Sequence, residues 1–319
     1  MMDWSDRHCR FFFRQLAPHA VVYTEMITTG ALLHGDVPRH LDFAPAEHPV
    51  ALQLGGSEPD ALAACAKLGL RWGYDEINLN CGCPSERVQR GAFGACLMLE
   101  PELVADCVKA MQDAVPISVT VKHRLGIDRV EDYGIVRHFV EALARAGCRT
   151  FIVHARNAVL KGLSPKANRE IPPLRYDDVY RLKREFPEVE IVVNGGIETL
   201  ADIDVHLAYV DGVMLGRAAY HDPYLLAQAD ARLFGGGAPT RGQIVERMQY
   251  YAAERVPGGT PLRAIVRHML GLYQGRPGAR VWRRMLSDAA LLASSDLDLL
   301  REAVERVEAA ASESVAVHG

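Results

Sequence analysis

The 319-residue sequence predicts an α/β chain: a (β/α)8 TIM barrel without its first strand, followed by a small all-helical domain. Three observations predict it. Short β-branched apolar runs alternate with helix-like segments, as in a parallel sheet covered by helices. Nearly every run ends, on its C-terminal side, in a polar residue. After Tyr224 the alternation stops and only helical patterning follows.

The runs lie at residues 21–23, 50–54, 76–80, 117–122, 150–154, 190–194 and 212–215. Each is short and apolar, as expected for strands buried on both faces. Amphipathic helices are expected over residues 58–69, 102–114, 131–146 and 177–186. Ser57-Glu58-Pro59 and Glu100-Pro101 supply starts with proline in the first turn. Such alternation fits either a doubly wound sheet or a barrel, and the polar residues decide. Glu25, Gln53, Asn80, Lys122, His154, Asn194 and Arg217 end the runs. In a barrel these ends converge on one mouth, where barrel active sites lie; in an open sheet they are strung along an edge. The chain opens at Met1-Met2-Asp3-Trp4, where a loop after strand one is expected, so that strand is read as absent. The Gly-rich linker at 234–240 separates a barrel domain, 1–234, from a helical domain, 241–319. The Ala/Ser-rich end, 309–319, is expected to fray.

Composition narrows the class. No apolar run reaches the roughly 18 residues a membrane span needs, and the first residues lack the apolar core of a signal peptide. Seven cysteines are scattered through apparent helices and strands. That suits reduced thiols in a cytoplasmic protein better than a disulfide framework. The formal net charge of -4 means that a nucleic-acid partner requires local positive charge. Residues 262–287 supply it, with Arg263, Arg267, Arg276, Arg280, Arg283 and Arg284 and no Asp or Glu. A basic run is often only a solvated face, but the missing acids and the interleaved Tyr273 and Trp282 favour RNA. The loop after His154 adds Arg156, Lys161, Lys166, Arg169 and Arg175 against Glu170. No membrane contact and no obligate protein partner are expected.

Four stretches carry chemistry. Asn194-Gly195-Gly196-Ile197 and Gly216-Arg217-Ala218 each end a strand in glycine. Glycine lets backbone N–H groups approach a phosphate, the following helix favours the anion, and Arg217 pairs with it. Tight turns alone would also need glycine, but both strand ends agree, and barrels hold phosphate there. Lys122 points into the mouth, where a buried lysine needs a negative partner or a shifted pKa. The negative edge of a reduced flavin is one such partner, a barrel carboxylate another; a Schiff-base lysine of an aldolase is the sharper rival. Cys81-Gly82-Cys83 lacks the further ligands of a zinc site, so no metal is expected, and one intervening residue strains a disulfide. Two uses remain for Cys83: a thiol at the mouth acting as a general acid, or a buried structural thiol.

Taken together, Met1-Met2-Asp3-Trp4-Ser5-Asp6-Arg7-His8, Gln53-Leu54-Gly55-Gly56, Asn78-Leu79-Asn80-Cys81-Gly82-Cys83-Pro84, Val121-Lys122-His123-Arg124, Val153-His154-Ala155-Arg156, Asn194-Gly195-Gly196-Ile197 and Gly216-Arg217-Ala218 resemble the tRNA-dihydrouridine synthases in order and spacing. Gly162-Leu163-Ser164-Pro165-Lys166-Ala167-Asn168-Arg169 and Arg267-His268-Met269-Leu270-Gly271 resemble the A-type subfamily. The resemblance implies FMN in the barrel, NADPH as reductant, a helical RNA-binding domain, and reduction of the C5–C6 bond of tRNA D-loop uridines at about position 20 and its neighbour. It implies hydride from flavin N5 to C6 and a proton from Cys83 to C5. It places Met1 and Met2 beside the flavin, Gln53, Lys122 and His154 on its ring, and Asn194, Gly195, Gly196, Gly216 and Arg217 on its ribityl phosphate. Asn80 would touch the uridine, and Lys166, Arg169, Arg280 and Arg283 the RNA. Two departures stand out: the family has Ala-Pro before Met1-Met2, and Cys81 replaces a more usual aliphatic residue. The rivals are a small-molecule FMN reductase of the dihydroorotate-dehydrogenase or ene-reductase kind, the aldolase, and a non-catalytic tRNA-binding module.

Overall fold

The computed structural model describes residues 1–294 and 296–316, without the side chains of 87, 90, 311 and 313–316. It divides into two compact units.

The first unit holds Met1–Met2 and Tyr23–Gly216. Its strands are β1 (Val22–Tyr23), β2 (Ile27–Thr28), β3 (Val50–Gly55), β4 (Glu76–Cys81), β5 (Ser118–Arg124), β6 (Thr150–His154), β7 (Glu190–Asn194) and β8 (Gly212–Met214). They form one sheet in the order β1-β3-β4-β5-β6-β7-β8, with β2 also on β3. From β2 through β8 every pairing is parallel. Sequential order without a reversal is that of a barrel wall; a doubly wound sheet reverses at its centre. No ladder joins β8 to β1 among the described residues, so the wall is a curled part-barrel. β2, absent from the sequence reading, continues β1 along the same neighbour after a break at residues 24–26.

Helices at Pro59–Trp72, Pro101–Ala114, Tyr133–Arg145 and Tyr176–Glu185 alternate with the strands, close to their expected bounds. Pro59–Trp72 stops at Gly73, whose left-handed φ of 90° no β-carbon-bearing residue adopts cheaply. The register sets the site. Asn80 lies level with Lys122, Arg124 with His154, and His154 with Asn194.

The second unit holds Asp3–Val22 and the chain from Arg217 onward. The expected domain boundary at 234–241 is therefore corrected. The helices Arg217–His221 and Tyr224–Phe234 fall in the helical unit, and so does an unpredicted helix at Arg7–Leu16. Asp6 caps that helix through the amides of His8 and Cys9 and binds Arg267 at 2.5 Å and His268 at 3.0 Å. Phe12 and Leu16 then join Ile244, Leu262, Met269, Trp282 and Leu300 in one apolar core. Trp282 is fully buried and donates its indole N–H to Met269 O at 2.8 Å; Tyr273 packs beside it, ring centroids 4.8 Å apart. The two aromatics interleaved in the basic stretch are thus core residues.

No helix among the described residues is long and apolar enough to cross a membrane.

Candidate active site

Inward-facing residues of β3, β4 and β5 build an interior that is hydrogen-bonded throughout. Glu76 accepts from Tyr23 Oη (2.9 Å) and Thr120 Oγ1 (2.5 Å). Thr120 accepts from Asn78 Nδ2 at 2.8 Å, and Asn78 Oδ1 from Gln53 Nε2 at 2.8 Å. Gln53 Oε1 accepts from Asn80 Nδ2 at 2.9 Å. Asn80 Oδ1 closes the chain by accepting from the backbone amides of Gly82 (3.0 Å) and Cys83 (2.9 Å). Backbone N–H groups only donate, so this end fixes the sense of each amide. Gln53 and Asn80 therefore act first as supports of the Cys83 turn. Asn80 keeps one amide hydrogen for anything bound above it.

Cys83 is half-buried at the end of that turn, whereas Cys81 is fully buried and its thiol is pushed far up by burial. The alternation of β4 separates the two: Cys81 points into the wall, and Cys83 lies beyond it. Lys122 also faces the mouth. Its ammonium donates to Asn194 Oδ1 at 3.0 Å, and Asn194 Nδ2 donates to Met214 O at 2.7 Å, tying β5, β7 and β8 together. Burial, followed by the charge of Arg124, pushes Lys122 down to about 8, while Cys83 acts in the opposite direction. His123, between the two cations, points outward against Phe139 and Phe151.

The sequence gives no sign of a role for Arg124. It is buried, and its guanidinium donates to Gly82 O (2.9 Å), Asn157 O (3.0 Å) and Asn168 O (3.0 Å). Burial pushes it down to about 10. His154 is held well below its ordinary value by burial and then by Arg124, Lys122, Arg156 and Arg169. It is neutral at pH 7, and its buried Nδ1 has no protein partner. Arg124, Lys122, Arg156 and Arg169 all act on this ring, so the mouth favours an anion.

Across the sheet, Gly195 and Gly196 are left-handed, with φ of 107° and 73°. A Cβ on Gly196 would stand 2.6 Å from Leu174 Cδ1 and 2.7 Å from Tyr176 Oη, and one on Gly195 would stand 3.2 Å from the His154 ring. Tyr176 Oη donates to Gly195 O at 2.6 Å. The paired glycines thus hold the β7 turn against His154. Gly216 ends the unit, with Met1 Sδ 4.0 Å from its Cβ position; Met2 is exposed. Arg217 opens the other unit.

Lys166 and Arg169 are exposed on the loop after β6. That loop is pinned by Asn168, fully buried, which binds both the amide (2.7 Å) and the carbonyl (2.9 Å) of Val159. In the helical unit, Arg280 and Arg283 line a surface hollow of about 390 Å³ together with Arg276 and Gln274. Arg283 donates to Gln274 Oε1 at 3.0 Å.

A parallel part-barrel with a cationic mouth and a glycine-paired strand end is the scaffold of a barrel enzyme, and comparison with known proteins agrees. Morphinone reductase shares the fold, with a TM-score of 0.51 over 74% of this chain and 83% of its own at 12% identity. The model of the family described as dihydrouridine synthase matches residues 1–318. A Synechocystis sp. protein named tRNA-dihydrouridine(20/20a) synthase is 57% identical over 96% of this chain and 92% of its own. Proteins of that name from Pseudomonas aeruginosa (56%; 96% and 92%) and Yersinia pestis (52%; 99% and 92%) are also similar. The chain belongs to the dihydrouridine synthase family.

Proposed function

We propose that this chain reduces uridines 20 and 20a in the D-loop of tRNA to dihydrouridine, with FMN as cofactor and NADPH as electron donor, in the cytoplasm. The names of its relatives support the substrate. The observation that carries the mechanism is a half-buried thiol, Cys83, held within electrostatic reach of two cations, the half-buried Lys122 and the buried Arg124.

The residues fit a flavin. His154 Nδ1 is a buried polar atom without a protein partner. Lys122 is a half-buried cation that donates to a neutral amide, Asn194 Oδ1. The left-handed Gly195–Gly196 turn leaves no room for side chains where backbone meets the His154 ring. Gln53, Lys122 and His154 would hold the ring system, with Met1 and Met2 at its edge; Asn194, Gly195, Gly196, Gly216 and Arg217 would hold the phosphate. Bound and reduced, the flavin supplies hydride to C6 of uracil.

The chain does the rest. The target base leaves its stack to reach the mouth, at a cost of a few kcal/mol. Lys166, Arg169, Arg280 and Arg283 hold the RNA backbone, and Asn80 uses its remaining amide hydrogen on the base. The Cys83 thiol gives its proton to C5 and is reprotonated from solvent. His154, neutral, offers a hydrogen bond without adding another positive charge.

Cys83→Ala tests this reading. Loss of a proton donor costs about 10²–10⁴-fold in rate. The variant is expected to keep a yellow cofactor, bleaching by NADPH and tRNA affinity, and to lose tRNA-driven reoxidation. Full turnover in Cys83→Ala removes the thiol from the mechanism.

A further inference from the structure

Cys83 is flanked by two carbonyls that reach across to another loop. Gly82 O, on one side, accepts from Arg124 Nε at 2.9 Å, and the same guanidinium binds Asn157 O and Asn168 O, each at 3.0 Å. Pro84 O, on the other side, accepts from Gln89 Nε2 at 2.8 Å, and that amide also donates to Leu160 O at 2.9 Å. Both far ends belong to the loop after β6, which carries the exposed Lys161, Lys166 and Arg169. That loop is stiff: Asn168 binds Val159 at both main-chain groups, and Asn157 Nδ2 binds Asp128 O (3.1 Å) and Val130 O (2.8 Å). A shift of the basic loop is therefore passed to the main chain on both sides of Cys83.

We propose that Gln89 and Arg124 are positioning residues that couple seating of the RNA backbone on the basic loop to placement of the Cys83 thiol, so that the acid is brought into register only when a polynucleotide is bound. The proposal rests on Cys83 as the proton donor. Arg124 bridges through a buried charge, with Arg169 of the basic loop within electrostatic reach of it. Gln89 is half-buried and neutral, and is the safer residue to change.

Two neutral hydrogen bonds are worth about five- to 150-fold in an equilibrium. Gln89→Ala is therefore expected to lower kcat for tRNA by about that factor, leaving KM for tRNA and the rate of NADPH bleaching unchanged. Its solvent deuterium isotope effect on tRNA-driven reoxidation should rise, because proton delivery becomes limiting. In RNA-free protein, iodoacetamide should alkylate Cys83 at least about fivefold faster than in the parent, with Cys96 as internal reference. Arg124→Lys, which keeps the charge but not the three-carbonyl grip, should move every readout the same way. An unchanged kcat with unchanged Cys83 alkylation in Gln89→Ala overturns the link. So does a rise in KM that accounts for the whole loss, since Gln89 would then serve docking alone. Should Cys83→Ala prove fully active, the proton-donor reading falls by itself, while the alkylation rates still report whether the two loops are joined.

Discussion

Replacing Lys122 by methionine should make the cofactor-free protein more stable while destroying its site. The lysine ammonium sits at the barrel mouth with one neutral partner, Asn194 Oδ1. Burial holds it at about 8 instead of the ordinary 10.5. That difference corresponds to roughly 3 kcal/mol of penalty on the folded state. Partial solvent contact trims it, and the unpaired Asn194 oxygen costs about 1 kcal/mol, leaving a net gain of about 1–2 kcal/mol. The sign with pH follows from the depressed value. Below pH 8 the ammonium is charged in both folded and unfolded chains, and the penalty is full. Above it the folded protein sheds its proton first, and the penalty fades towards 10.5. The gain should therefore be present at pH 7 and near zero by about pH 9.5. Urea denaturation of the FMN-free protein at both pH values, followed by circular dichroism, measures it. A variant less stable than the parent at pH 7, or equally favoured at both, would refute the reasoning. FMN binding should be lost in the same variant at every pH.

Two other outcomes are expected. Gly196→Ala forces a left-handed backbone on a residue with a Cβ and drives that carbon against Leu174 and Tyr176. The strain of about 1–2 kcal/mol should weaken FMN binding at least about tenfold, read by quenching of flavin fluorescence; parent-like affinity would mean that the turn does not approach the cofactor. Arg280→Ala combined with Arg283→Ala should weaken tRNA binding and flatten its salt dependence by about 0.7–0.9 in log–log slope per lost phosphate contact, with NADPH bleaching untouched. An unchanged slope would take the hollow out of the RNA path.

The strands were legible because each is a short apolar run buried on both faces, and the site because polar residues end those runs at matching register. Lys122, His154 and Asn194 could be placed by that rule alone. What escaped was decided by partners distant in sequence. The apolar side of Arg7–Leu16, Phe12 and Leu16, joins a core with Ile244, Leu262 and Trp282, more than 200 residues further on. Tyr273 and Trp282 count towards RNA binding in the sequence, because nothing in a basic segment says which side of a helix faces the core. Asn80 reads as a substrate ligand, but its oxygen already holds the Cys83 turn. Arg124 and Gln89 gave no signal, since main-chain carbonyls carry no sequence signature.

The chain visits its two units alternately: Met1–Met2 in one, Asp3–Val22 in the other, then Tyr23–Gly216, then the remainder. A ribosome therefore delivers the helix Arg7–Leu16 long before its partners. Phe12 and Leu16 wait for Ile244 and Trp282, well over 200 residues later, which at 5–20 residues per second is roughly 10–50 s. Over that interval an apolar arginine-flanked segment is exposed in the cell, a natural substrate for the chaperones that meet nascent chains. Neither unit can be excised by a single cut, because removing the C-terminal helices leaves the N-terminal helix without a core to enter.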